Sequence, residues 1–237
     1  MASSTPSDPG PDPSSAAAPG PDVATARYWR RGDEPEFGRI LYFSDAVYAI
    51  ALTLLALDLR VTAVAGDPSS PSSMLSALDD LLPQLVAFGV GFALLANYWL
   101  AHHHFMSRVA AIDSRLIATN LVYLAFVALL PFPTAMIGEF ESNPVSGVVF
   151  AANLAVISML EAMMLAHAQR AELLREQLTD RRYRAELLAS LQPAVMFIVT
   201  IPLAFISTTL MLVSWLVVGP VAGRLVGRRV RRSGSDA

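Results

Sequence analysis

The chain has 237 residues, of which 54% are hydrophobic and 16% are charged, and its mean hydropathy is +0.48. This composition lies well outside the range of soluble domains and excludes a single soluble globular domain. The formal net charge is only −3, and the absence of cysteine excludes disulfides, thiolate catalysis and cysteine-based metal sites.

The first 30 residues are predicted to be a disordered cytoplasmic segment. Residues 1–26 consist mainly of Pro, Ser, Ala, Gly and Asp, so they bury too little apolar surface to offset the chain entropy lost on folding. They also lack the basic start and apolar block of a cleavable signal peptide, so the first hydrophobic helix is expected to remain in the mature protein. Residues 31–227 are predicted to form a membrane domain, and residues 228–237 a basic cytoplasmic tail.

Runs of about 20 apolar residues recur along the membrane domain, and each is long enough to cross roughly 30 Å of hydrocarbon as a helix. We predict an all-α membrane protein with six transmembrane helices per chain. The apolar run at 187–226 is too long for one crossing, and its "FISTT" centre predicts a break between two helices. The first four helices are expected at 38–59, 80–103, 114–137 and 144–168.

The arginines predict the orientation of these helices, because cytoplasmic loops of membrane proteins carry an excess of positive charge. The chain has no lysine, and six spans place sixteen of the seventeen arginines on one side of the membrane. The exception is Arg60. Both termini of this multi-pass protein are therefore predicted to be cytoplasmic.

The first helix carries one ionisable residue at membrane depth, Asp45 in "YFSDAVYAIALTLLAL". A charged group inside a bilayer is costly and nearly always faces protein or a water-filled cavity. Asp45 and its neighbour Ser44 are therefore expected to face other helices. At about 100° per residue, Asp45 lies about 140° away from Ile50. Ile50 belongs to a separate stripe that comprises Ala46, Ile50, Thr53, Leu54 and Leu57.

Polar residues in the second and third helices are candidate partners for the Asp45 carboxylate. Indole, imidazole and amide groups supply the donors that a buried carboxylate requires. We expect these residues to join the helices through an interhelical hydrogen-bond network. The candidates are Asn97, Trp99, His102, His103, His104 and Asn120.

Two other titratable features within the spans have competing interpretations. Three consecutive imidazoles, at residues 102–104, point in different directions on a helix, so they cannot all bind one ion and no metal site is predicted. A zinc site would need ligands from other chains, and sensitivity to protons is the milder alternative. Glu161 lies in the middle of the fourth helix. An intramembrane carboxylate can bind protons or ions, but a packing role for Glu161 is favoured.

Three motifs in the first half of the chain together resemble one known family. Arg39, Phe43, Ser44 and Asp45 form an R-x-x-x-F-S-D signature that "AVYAIALTLL" follows. The second helix ends in "YWLAHHHF" and the third in "LLPFPT". In this order, the motifs are similar to those of the transmembrane protein 175 family of endosomal and lysosomal potassium channels, and particularly of its prokaryotic branch.

The resemblance implies a homotetramer in which the first helix of each chain lines a central pore. It implies that Ile50, five residues after the Asp of the signature, forms the narrowest point. Thr53 then matches a hydroxyl ring and Leu57 a further apolar ring. These positions lie on the stripe given by helical geometry, which also contains Leu54. Arg39, Ser44 and Asp45 are expected to support assembly or gating rather than to contact the ion.

The expected function is a potassium-selective ion channel, potassium being preferred over sodium, in a bacterial plasma membrane. Four Ile50 side chains around one axis would form a dry constriction, and Thr53 hydroxyls would replace part of the hydration shell of potassium. The predicted partners are the lipid bilayer and further copies of the chain. No enzymatic activity, cofactor or nucleic-acid partner is expected.

The alternative function is a proton- or ion-coupled transporter that uses Asp45, the histidines and Glu161 as a relay. Many carriers consist of two matching halves. The chain contains no second copy of its "FSD" segment, which favours the channel.

Overall fold

The structure is a computed structural model that describes residues 28–30, 36–60, 67, 69–140 and 142–215. The predicted N-terminal segment lies outside these residues except at 28–30, where the chain forms a short strand. The predicted basic tail at 228–237 also lies outside them.

The described part of the chain is mostly helical. Its two strands are β1 (Tyr28–Arg30) and β2 (Ala111–Asp113). Its helices are α1 (Glu36–Leu57), α2 (Pro71–Asp79), α3 (Leu82–Arg108), α4 (Ser114–Leu129), α5 (Pro131–Glu139), α6 (Pro144–Arg170) and α7 (Asp180–Ala204). Residues 208–215 are also helical.

Within the described residues, five segments are long and apolar enough to cross a membrane, namely Phe37–Leu57, Leu82–Arg108, Ser114–Glu139, Pro144–Arg170 and Asp180–Ala204. The chain turns at residues 205–206 and becomes helical again at 208, which is the break expected in "FISTT". The rest of the expected sixth span lies outside the described residues, so the count of six helices remains a prediction.

Several helix boundaries differ from those expected. The third span is divided into α4 and α5 at Leu130, because Pro131 starts α5 and lacks the backbone N–H that would continue the ladder of α4. The fifth helix begins at Asp180, after an extended Thr179, so the charged segment that precedes the apolar run at 187 is helical from residue 180 and continuous with it. The short helix α2, which starts at Pro71, was not expected.

α6 is the central helix of the bundle. In the most apolar 18-residue stretch of α6, 56% of the residues are buried, compared with 22% in the corresponding stretches of α1 and α7. It packs against α4, α5 and α7, and Phe150, Leu154, Ile157 and Met164 are almost completely buried. α1 lies at the periphery and contacts α3, α4 and α5 with one side only.

The connection between α3 and α4 pairs through its backbone with two other segments at one end of the bundle. β2 pairs antiparallel with β1. On the same connection, Val109 pairs with Leu174 in the segment that joins α6 to α7. The amide of Ala110 donates to the carbonyl of Leu173 at 2.7 Å. The α3–α4 and α6–α7 connections therefore lie together, as expected for successive spans that alternate in direction.

The contact of α3 with α5 and α1 depends on Gly91. A Cβ added at Gly91 would lie 2.8 Å from Cγ2 of Thr134 and 3.5 Å from Cδ2 of Leu55. We therefore expect Gly91→Ala to push the helices apart and to lower the stability by about 1–3 kcal/mol, measured as thermal unfolding in detergent. Gly89→Ala is the matched control, since a Cβ there meets no atom within 4 Å and the gain in helix propensity is the same. Equal melting temperatures for the two variants would contradict this packing.

Candidate functional site

α1 has two faces of different character. Ser44, Tyr48, Ala51 and Leu55, spaced three or four residues apart, are buried against the rest of the chain. The predicted stripe lies on the other face, where Ile50 is 59% exposed and Ala46, Thr53, Leu54 and Leu57 are exposed as well. Within one chain this apolar face is therefore free to contact lipid or another protein surface.

Asn120 on α4 links α1 to α3. Its Nδ2 donates to Oγ of Ser44 at 3.1 Å, and its Oδ1 lies 2.8 Å from Nε2 of His102. All three side chains are at most 2% exposed. Because the amide oxygen can only accept, Nε2 of His102 must carry a proton in this arrangement. Oγ of Ser44 donates in turn to the carbonyl of Ile40.

Asp45 has its partner on α3. Nε1 of Trp99 donates to Oδ1 of Asp45 at 2.9 Å, and both side chains are half-buried. α1 is thus held by α3 through Asp45 and by α4 through Ser44. Such contacts fix both the depth and the rotation of a helix, because each donor has to meet its acceptor.

The structure brings five predicted residues into this network, namely Ser44, Asp45, Trp99, His102 and Asn120. The other candidates lie on exposed surface. Arg39, Phe43, Asn97, His103 and His104 are exposed, and the ring of His103 lies 5.5 Å from that of Trp99.

Two tyrosines extend the network and were not predicted. The hydroxyls of Tyr48 and Tyr123 are 2.5 Å apart. The ring of Tyr123 also stacks on that of His102, with centroids 5.1 Å apart. Helical spacing could have indicated both residues, since Tyr48 is four residues after Ser44 and Tyr123 is three residues after Asn120. Each tyrosine therefore lies on the same helix face as a predicted residue of the network.

Glu161 lies outside the network, on the wall of a separate cavity. The cavity has a volume of about 410 Å³ and lies between α3, α6 and α7. His104, Arg108 and Glu186 also line it, and Nη1 of Arg108 is 2.7 Å from Oε2 of Glu186. Glu161 is half-buried on this wall, and its packing role remains a prediction.

The described residues contain no group of three or more His, Asp or Glu side chains that could hold a metal ion. His102 points into the network, whereas His103 and His104 lie on exposed surface.

Comparisons with known proteins place these features within one family. Residues 39–131 match the family described as "Endosomal/lysosomal potassium channel TMEM175". A Streptomyces collinus protein named a potassium channel is 37% identical over 128 residues, which cover 54% of this chain and 60% of that protein. A Chamaesiphon minutus protein, also named a potassium channel, is 34% identical over 152 residues, which cover 63% of this chain and 74% of that protein.

A solved structure extends the similarity to most of the chain. It is described as the crystal structure of a lysosomal potassium-selective channel TMEM175 homolog from Chamaesiphon minutus. It matches with a TM-score of 0.63 and 30% identity, and the match covers 84% of this chain and 98% of that chain. The similarity therefore includes α6 and α7, which lie beyond the matched family region.

The network predicts that the stability and assembly of the protein depend on Asn120. Asn120→Leu leaves Nε2 of His102 without its buried partner, which costs about 1–3 kcal/mol, and it removes the donor to Oγ of Ser44, which keeps only its bond to the carbonyl of Ile40. We expect a lower melting temperature in detergent and a smaller fraction of correctly assembled protein on size-exclusion chromatography. Asn97→Leu is the matched control, because Asn97 is exposed on α3. The network would have no such role if both variants behaved alike.

Proposed function

Because the chain belongs to the endosomal/lysosomal potassium channel TMEM175 family, we propose that it forms a potassium-selective channel in which α1 of four copies lines the pore. Two bacterial relatives are themselves named potassium channels. The observation that carries the proposal is the exposed apolar face of α1, on which Ile50 is 59% and Leu57 65% exposed. A ring of copies would bring these side chains together on one axis.

The hydrogen bonds on the opposite face of α1 support the orientation in which Ile50 and Leu57 point away from the bundle. Ser44 and Asp45 are held toward α4 and α3. Ile50 lies about 140° around the helix from Asp45, so it has to point away from its own bundle. Rotating Ile50 into the bundle would break both contacts and leave the Asp45 carboxylate unpaired in the membrane, which is costly.

Ile50 is suited to form a hydrophobic constriction. A ring of branched aliphatic side chains offers water no hydrogen bonds, so a narrow passage between them dries and blocks hydrated ions. Leu54 and Leu57 lie one and two turns further along the same face and would extend the apolar wall. Opening then requires the four helices to move apart or to rotate.

Thr53 is suited to contact a permeating cation. Its Oγ1 donates to the carbonyl of Ile50 at 2.7 Å. The hydroxyl proton is thereby directed at the backbone, which leaves the lone pairs of the oxygen for a cation. The oxygen replaces part of a hydration shell, and potassium gives up its water at lower cost than the smaller sodium ion.

The distribution of arginines supports a cytoplasmic location for both termini in a bacterial plasma membrane. Arg108 and Arg115 flank β2, Arg170 ends α6, and Arg175 lies on the α6–α7 connection, whose Leu174 pairs with Val109 just before β2. Both connections therefore place positive charge at one end of the bundle. By the positive-inside rule this end is cytoplasmic.

The first test is potassium flux from liposomes that contain the purified protein, with wild type compared with Ile50→Ala. The smaller side chain widens the constriction and favours its wetting, so we expect flux to rise about tenfold, equivalent to a barrier lower by about 1.4 kcal/mol. Ile198→Ala is the matched control, because Ile198 is 50% exposed on α7.

Three outcomes would contradict the proposal. Equal flux in the Ile50→Ala and Ile198→Ala variants would remove Ile50 from the pathway. A mass other than that of four chains in light scattering would reject the tetramer. Strictly coupled exchange of potassium for protons, without unitary currents in planar bilayers, would indicate the transporter instead.

The second test addresses selectivity through Thr53. Thr53→Val keeps the size of the side chain and removes its oxygen, so we expect the potassium preference to fall toward a permeability ratio of about 1. Thr53→Ser keeps the hydroxyl and should retain the preference. The measurement is the reversal potential in mixed potassium and sodium solutions. An unchanged reversal potential in Thr53→Val would exclude Thr53 as the selectivity residue.

A further inference from the structure

We propose that α2 is an amphipathic anchor that lies on the bilayer surface opposite the arginine-rich connections, with its apolar side chains inserted among the lipids. α2 spans Pro71–Asp79 and is followed, after Asp80 and Leu81, by the membrane-length helix α3. The inference concerns a contact with lipid, and it does not depend on ion conduction.

The side chains of α2 divide into an apolar face and a polar face. At about 100° per residue, Met74, Leu75 and Leu78 fall within one arc of the helix. Ser72 and Ser76 lie on the opposite arc. A helix that separates its side chains in this way is suited to the boundary between water and an apolar phase.

The apolar face of α2 is not covered by the rest of the chain. Met74, Leu75 and Leu78 are 41%, 63% and 44% exposed, whereas the neighbouring Ala77 is buried. Adjacent exposed apolar side chains mark a contact with a membrane or with another protein. The bundle itself therefore leaves this face available for such a contact.

The opposite end of α3 fixes the depth of α2 in the membrane. At that end the exposed His103 and His104 are followed by Arg108, so the hydrocarbon crossing of α3 ends at about residue 101. A crossing takes about 20 residues, which places the other boundary near Leu82. α2 ends at Asp79, just before this boundary, so it lies at the depth of the lipid head groups.

The connection between α2 and α3 frees α2 to lie at an angle to the span. Pro83 has no N–H, so it cannot donate to the carbonyl of Asp79 as a continuous helix requires. The amide of Leu81 donates to the carbonyl of Leu78, three residues back instead of four. Helices bend where the hydrogen-bond ladder is interrupted in this way.

The size of the exposed side chains favours lipid over a second copy of the chain. Contacts between helices in membranes are rich in small residues, because these let the backbones approach closely. The exposed face that continues from α2 into α3 instead carries large branched side chains that are 40–63% exposed. These are Leu75, Leu78, Leu82, Leu85 and Val86. Fluid acyl chains adapt to such a surface without a matching partner.

The polar face of α2 indicates which lipid surface it contacts. It carries serines and Asp79, and α2 contains no arginine or lysine. Helices that select anionic lipids carry basic residues on the polar face. The burial of apolar side chains therefore drives the insertion of α2, and a neutral phosphatidylcholine surface suffices.

The test uses single cysteines, which label one site only because the chain has no cysteine of its own. Leu78→Cys and Ser76→Cys are a matched pair, since both positions are exposed and they lie on opposite faces of α2. Each purified variant is spin-labelled in phosphatidylcholine liposomes, and its collisions with oxygen and with a water-soluble nickel chelate are measured. We expect the label at Leu78 about 5–10 Å into the boundary between head groups and acyl chains, and the label at Ser76 in water.

Three results would overturn the anchor. Equal access of the nickel chelate to both labels would place α2 in water. Disulfide formation between copies of Leu78→Cys, with little access of oxygen, would show that a second copy covers this face. Insertion that occurs only after anionic lipid is added would reject apolar burial as the driving contact.

A second pair of variants guards against a local effect of the label. Met74→Cys and Ser72→Cys also lie on opposite faces of α2 and should give the same difference in depth. Depth is measured without ion flux. Loss of flux with the insertion intact would therefore reject the channel alone, and the reverse result would reject the anchor alone.

Discussion

The orientation of α1 about its own axis is the constraint on which the other features of the molecule depend. In water, burial of apolar side chains orients a helix, but lipid is as apolar as the protein interior and gives little preference. Hydrogen bonds to Ser44 and Asp45 supply that preference here. With one face held by α3 and α4, the opposite face of α1 has to leave the bundle.

This rotation explains why an apolar stripe remains exposed in a well-packed chain. Ser44 and Tyr48 are buried, while Ile50 and Leu57 on the other side lie open. A membrane protein of this family can cover such a face with lipid or with copies of itself. The proposed tetramer uses it as the wall of a pore, where dry aliphatic rings block hydrated ions.

The two ends of the bundle have different chemistry, which suits a protein that separates two compartments. At one end, paired connections carry arginines and are joined by backbone contacts such as Val109 with Leu174. At the other end, Asp80 and Glu139 line an open, oxygen-rich cavity. By the positive-inside rule the arginine-rich end is expected on the cytoplasmic side, and the acidic end can attract cations.

The sequence alone determined the class of the protein, because span length, arginine distribution and the motif around Asp45 are properties of short segments. It also indicated that Asp45 needs partners from other helices. Only the tertiary structure decided that Trp99 and Asn120, rather than Asn97 or His103, reach α1, since that choice depends on the rotation and depth of packed helices. The acidic cavity is likewise tertiary, because it joins residues from Asp80 to Thr208 that are distant along the chain and meet only where four helix ends converge.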